Sequence, residues 1–276
     1  MVRSFALICL AGASLTCFAE TTQILFRPVE REVIEKRLQL DSRNNRERLE
    51  ALRALFEEVG CKGEQLQEEP VKHADTPNLI CTIPGESKEM IVIGGHFDAE
   101  LSVGKGIVDN WSGASLLPSL VQALSNAKRR HTLVFIGFTG EEKGLLGSQA
   151  WLKQLRKEDT EQVRAMVNLD TLGLSPVAVW LSHADPGLVK LVAAVSGTFK
   201  IQLRATNVER VGSTDSEPFR ARHIPAITFH SVTQDTWKIL HSKQDQVSAI
   251  RMDDYYEAYR LVSAYLAYLD LKLDSK

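Results

Sequence analysis

The sequence predicts an α/β fold, a single domain on a mostly parallel central sheet with helices on both faces. Three observations predict it. Short apolar runs rich in β-branched or aromatic residues recur at 90–95, 132–136, 164–170 and 224–229, each of a length suited to a buried strand. Segments with helical apolar spacing separate these runs, and such alternation implies a parallel sheet covered on both sides. The 276 residues, 44% hydrophobic, suffice for a full core, and no repeat, low-complexity tract or linker divides them.

Residues 1–19 stand apart. Met1-Val2-Arg3 gives a basic start, an apolar stretch follows from Phe5 to Phe18, and Cys17-Phe18-Ala19 precedes Glu20. This is the pattern of a secretory signal peptide, too short and wrongly flanked for a membrane span. A lipidated Cys17 fits poorly behind Leu15-Thr16. The expectation is an exported protein, periplasmic or secreted, whose domain runs over 20–276. No later run reaches membrane-spanning length, and a net charge of −2 gives no basis for a nucleic-acid surface. Loss of the leader removes Cys9 and Cys17. Cys61 and Cys81 remain, and an oxidising compartment favours their disulfide over two buried thiols.

In chain order, residues 20–41 are mixed and charged without a clear period. Residues 44–59 read as an amphipathic helix, with Leu49, Leu52, Leu55, Phe56 and Val59 at helical spacing and Gly60 as its stop. Residues 61–84 suggest two strands joined by a polar loop, and 90–95 the next strand. A helix carrying Leu116, Leu117, Leu120, Val121 and Leu124 follows, with Pro118 expected to kink it or delay its start. Lys128-Arg129-Arg130 is read as a solvated helix end. After the 132–136 strand comes a helix over 145–155, then strands over 164–170 and 177–181. Asp185-Pro186 opens a helix to about 199 in the cap-then-proline manner. A strand at 224–229 and a long helix over 253–271 close the domain.

The chemistry gathers where strands end. His96 and Asp98 follow the 90–95 strand, and Asp170 ends the 164–170 strand. Glu141 and Glu142 lie in the stretch GFTGEEKGLLGS after 132–136, at the edge where open α/β sheets bind ligands. Adjacent carboxylates there need a cation or a proton to offset their repulsion. Asp109 begins a helix, and His241 lies in the loop after 224–229. Imidazole with carboxylate donors suits zinc, with cobalt or manganese able to substitute. His73, His131, His183, His223 and His230 are read as ordinary surface or core histidines.

The motifs His96-Phe97-Asp98, Asp109-Asn110-Trp111-Ser112-Gly113, Gly140-Glu141-Glu142, Asn168-Leu169-Asp170 and His241-Ser242-Lys243-Gln244-Asp245 occur together and in this order. Over roughly 44–271 the sequence resembles the co-catalytic dizinc exopeptidases similar to bacterial leucyl aminopeptidase, with glutaminyl cyclases as relatives. The resemblance implies the zinc exopeptidase form of the α/β fold, phosphorylase/hydrolase-like. It also implies two zinc ions bridged by Asp109, with His96 and Asp170 completing one site and Glu142 and His241 the other. Glu141 would be the general base and Asp98 the residue orienting His96. The implied activity is hydrolysis of N-terminal residues from peptides with a free N-terminus, by zinc-activated water. The alternative is a glutaminyl-peptide cyclase. Such cyclases tend to lack the Ser112-Gly113 pair and to carry Trp before the final His, where this chain has Leu240. Trp111 stands where the family usually has a small residue, and Ser242 where it usually has Thr; the loop from His96 to Asp109 is short. Trp111 and Asp215 are the candidates for the substrate pocket, although Asp215 equally suits a helix cap.

Overall fold

The computed structural model describes residues 24–209 and 212–273. The leader assigned to 1–19, with Cys9 and Cys17, lies outside them. Helices α1 (Arg31–Leu38) and α2 (Asn45–Glu58) precede strands β1 (Leu66–Glu69), β2 (Asn78–Ile83) and β3 (Met90–His96). An irregular turn (Ile107–Trp111), non-helical at Asp109 and Asn110, leads into α3 (Ser112–Ala114) and α4 (Leu116–Leu124). Next come β4 (Thr132–Phe138), α5 (Leu146–Gln154), α6 (Lys157–Thr160), β5 (Val163–Leu169) and β6 (Ala178–Val179). The chain continues through α7 (Pro186–Phe199), β7 (Arg204–Ala205), α8 (Glu217–Ala221), β8 (Ala226–His230) and α9 (Met252–Lys272).

The helix starts follow local chemistry. The Asn44 side chain accepts the Glu47 N–H at 2.9 Å to open α2. Asp185 accepts the N–H groups of Gly187 and Leu188 with Pro186 at the first helical position of α7. Pro118 sits in the first turn of α4, where its missing N–H costs no intrahelical bond. A Cys61–Cys81 disulfide ties the end of α2 to β2, with Cα atoms 6.2 Å apart.

All eight strands form one mixed, mostly parallel sheet in the order β1-β2-β4-β3-β5-β8-β6-β7. The run β4-β3-β5-β8 is parallel, whereas β1/β2, β2/β4 and β6/β8 are antiparallel. Alternate side chains of the central strands enter two cores. Ile91, Ile93, Leu133, Phe135, Ala165 and Val167 join the larger, with α1, α2, α4, α7 and α9. Val92, Val134, Ile136, Phe138 and Met166 join the smaller, against Trp151 of α5 and Phe219 of α8. Burial on both faces explains why these strands read as continuous apolar runs.

Several elements depart from the sequence reading, the short helices α6 and α8 among them. Residues 31–38 form α1, short and charged, burying Ile34 and Leu38; its apolar signal is too brief to show a period. The strand expected at 177–181 narrows to β6, because the chain leaves the ladder at Leu181 for a 3-10 turn. The two-residue β7, exposed and pairing only with β6, was not anticipated.

Candidate metal centre

The parallel register sets the carboxyl ends of β3, β4 and β5 side by side. His96 is the last residue of β3, Asp170 follows β5, and Glu141 and Glu142 lie just past β4. The turn at 107–111 brings Asp109 over these ends. His241 arrives from the loop after β8, in the left-handed backbone region with φ 50°. These residues line one cavity of about 450 Å³.

Asp109 lies between the two histidines. One carboxylate oxygen is 3.2 Å from His96 Nε2 and the other 3.3 Å from His241 Nε2. His96 Nε2 is also 3.8 Å from Asp170 and 4.0 Å from Glu141. His241 Nε2 is 2.9 Å from Glu142. One donor atom each from His96, Glu141 and Asp170 falls within 4.8 Å of the others, and the same holds for His96, Asp109 and Glu142.

The electrostatics reflect this crowding. Burial pushes the Glu141 carboxyl well above its ordinary value against the pull of His96, and Asp215, Asp170 and Asp109 push it further. Burial would raise Asp109 too, but hydrogen bonds with His241 and His96 hold it far below the carboxylate range. Burial would lower His96; the surrounding acids, Glu141 foremost, raise it strongly instead. His241 is pushed up to about 10 by hydrogen bonds to Asp109 and Glu142. Two imidazoles thus stand among four carboxylates. That donor set fits divalent-cation binding with nitrogen and oxygen preference, which would offset the excess negative charge.

The surrounding residues fix the donors. Asp98 does so differently from expectation. His96 Nδ1 meets the main-chain carbonyl of Asp98 at 3.1 Å, while the carboxylate stands 3.6 Å away. That carboxylate accepts the backbone N–H groups of Glu141 at 3.2 Å and Glu142 at 3.4 Å. Asp98 therefore secures both glutamates as well as the imidazole. Thr171 donates its hydroxyl to Asp170 at 3.0 Å. The Asn110 side chain donates to Leu169 O and accepts from Thr171 N, joining the Asp109 turn to the end of β5. A Cβ on Gly113 would meet Leu169 O at 2.4 Å, so only glycine lets α3 approach that closely.

Trp111, expected near a substrate pocket, does not line this cavity. Its ring is buried, its indole N–H donates to Arg37 O at 3.1 Å, and it packs beneath Arg48 on the core side of the turn. Asp215 is wholly buried behind the site, and among the described residues neither carboxylate oxygen finds a hydrogen-bond donor. Burial raises it to about 7. Its neighbours Ser213 and Thr214, rather than Asp215 itself, line the cavity. The apolar wall comes from Trp180, Val208, Val232, Trp237 and Leu240.

Of the remaining histidines, His131 pairs with Asp270 at the opposite end of the sheet. His183 stacks on Trp180 with centroids 4.2 Å apart. His230 is satisfied by Thr206 O and Val232 N. Sequence reasoning missed Asp245, although it stands within the quoted motif. Its carboxylate accepts the N–H groups of Val108 at 2.6 Å and Asp109 at 3.2 Å, anchoring the turn from below.

Comparison with known proteins places the fold and the family. Leucine aminopeptidase 1 of Ajellomyces capsulatus is 29% identical over 199 residues, which cover 64% of this chain and 51% of that protein. The chain thus spans about half the length of that relative. LapB from Legionella pneumophila superposes with a TM-score of 0.73 at 20% identity, over 88% of this chain and 73% of that one. BSAP, a zinc aminopeptidase from Bacillus subtilis, gives 0.64 at 22% identity, over 73% and 52%. At such identities the two structures attest the fold. The sequence match that carries more begins at the first residue of β2, ends within α9 and encloses His96, Asp109, Glu141, Glu142, Asp170 and His241: over residues 78–266 the chain belongs to peptidase family M28.

Proposed function

We propose that this chain is a zinc-dependent aminopeptidase that removes N-terminal residues from peptides with a free N-terminus. The observation that carries the reading is the Asp109 carboxylate, one oxygen facing His96 and the other His241. Asp109 with His96 and Asp170 would hold one zinc ion, and Asp109 with Glu142 and His241 a second. Zinc in such a pair supplies Lewis acidity, polarising a carbonyl and acidifying water. Glu141 is left over for proton transfer. It accepts a proton from the attacking water and returns it to the departing amine. Asp98 holds the main chain of Glu141 and Glu142, so base and ligand keep a fixed separation. The apolar wall at Trp180, Val232 and Leu240 receives the side chain of the residue being removed.

The names of the relatives support peptide hydrolysis. The disulfide and the leader-like start support export to an oxidising compartment. Among the described residues no helix is long and apolar enough to cross a membrane.

The test is mass spectrometry of peptides incubated with zinc-loaded protein. Stepwise loss of N-terminal residues is expected from free peptides and none from N-acetylated ones. A Gln-initiated peptide that loses only ammonia would instead make the protein a glutaminyl cyclase.

A further inference from the structure

Arg48 lies on α2, ahead of the stretch that matches the family, yet its side chain is fully buried. Charged side chains are seldom buried so completely unless paired. Arg48 directs its donors to main-chain carbonyls rather than to a carboxylate. Nε donates to Phe97 O, Nη1 to Lys105 O at 3.1 Å, and Nη2 to Gly106 O at 2.8 Å. Phe97 stands between His96 and Asp98, and Gly106 lies three residues before Asp109. One planar group therefore grips both ends of the loop that separates these residues.

The surroundings are shaped to that grip. The guanidinium carbon lies 5.5 Å from the Trp111 ring centroid. One turn earlier on α2, Asn45 accepts the Ala99 N–H at 3.1 Å and so pins the loop between the gripped ends. Gly106 has φ 61°, and a Cβ there would meet Ala99 Cβ at 2.3 Å and Arg48 Nη1 at 3.3 Å. A fixed positive charge near a cation site opposes the cation by simple repulsion. Charge alone is thus a poor reason to place an arginine here, whereas its rigid fork of donors is a good one.

We propose that Arg48 is a positioning residue for the metal centre. It acts through the carbonyls of Phe97, Lys105 and Gly106 to hold His96, Asp98 and Asp109 at the separation the ligand set requires. The inference rests on reading the site as a metal centre, and two measurements separate the ideas. Hydrogen exchange of the metal-free protein reports the loop, and competition with a chromogenic chelator reports zinc affinity. R48Q and R48K should both lose protection over 97–109 relative to β3 and β4, and both should bind zinc about 10–100-fold more weakly. Lysine fails to rescue because one compact ammonium does not reproduce a planar fork reaching three carbonyls. Wild-type loop protection or zinc affinity in R48K would overturn the proposal, as would loop protection that falls only in step with the whole sheet. Should R48Q not fold, R48K decides, with N45A expected to loosen the same segment. If the wild-type protein bound no zinc, the metal reading would fall while the exchange data still judged the clamp.

Discussion

His241 Nε2 lies 2.9 Å from Glu142 Oε2, although 99 residues separate the two in the chain. One comes from the loop after β8 and the other from the turn after β4, so the contact exists only in the folded sheet. Both are proposed ligands of the same zinc ion. Glu142→Gln and His241→Ala are each expected to lower bound zinc from two ions toward one per chain. Elemental analysis after gel filtration measures this, and full occupancy in both variants would remove them from the ligand set.

Glu141 is assigned proton transfer rather than metal retention. Glu141→Gln should keep the zinc content of the wild type while turnover falls roughly 10²–10⁴-fold. A variant as depleted of zinc as Glu142→Gln would reverse the two roles.

Asp98 is expected to couple both functions, since its carboxylate accepts the N–H groups of Glu141 and Glu142 and its carbonyl meets His96. Asp98→Ala removes the first contact and leaves the second. Zinc affinity should drop about 10–100-fold, the usual cost of losing an outer partner of a ligand. Chelator competition at fixed pH gives the number; an unchanged value would reduce Asp98 to its carbonyl.

The Cys61–Cys81 bond closes a loop with a sequence separation of 20. In the chain-entropy account such closure stabilises by about 3 kcal/mol. The double variant Cys61→Ala/Cys81→Ala should show that loss in urea denaturation, and mass spectrometry of the non-reduced wild type should find no free thiol at either position.

Acid stability should depend on Asp270. Burial alone would raise this carboxyl, but hydrogen bonds from the His131 ring and from the N–H groups of His131 and Arg130 hold it below the ordinary range. A depressed carboxyl stabilises the fold at pH above its unfolded value, about 4, and the contribution fades as pH falls through the lower folded value. Thermal melts of EDTA-treated protein between pH 2 and 7 should therefore show an acid-side decline that Asp270→Asn flattens. An equal slope in the variant would assign the decline to other groups.

Much of this protein was legible in the sequence because the relevant signals are local. Buried central strands appear as unbroken apolar runs, α9 as a stripe at helical spacing, and the start of α7 as Asp185 before Pro186. Strand ends could be read directly, and with them His96, Glu141, Glu142 and Asp170, since parallel strands deliver their carboxyl ends to one edge. What local spacing does not encode is which element crosses over which. Arg48 falls on the apolar face of α2, four residues before Leu52, and only the loop folded back onto it supplies the carbonyls that receive its donors. Asp245 meets the main chain of Asp109 across a separation of 136 residues. Trp111 looked like a pocket residue by its place in a motif, yet the turn at 107–111 sends it into the core. The division of Asp98 between carbonyl and carboxylate rests on 3.1 Å against 3.6 Å to His96 Nδ1. Such contacts arise when distant segments pack, and their energies depend on distances that no residue's immediate neighbours specify.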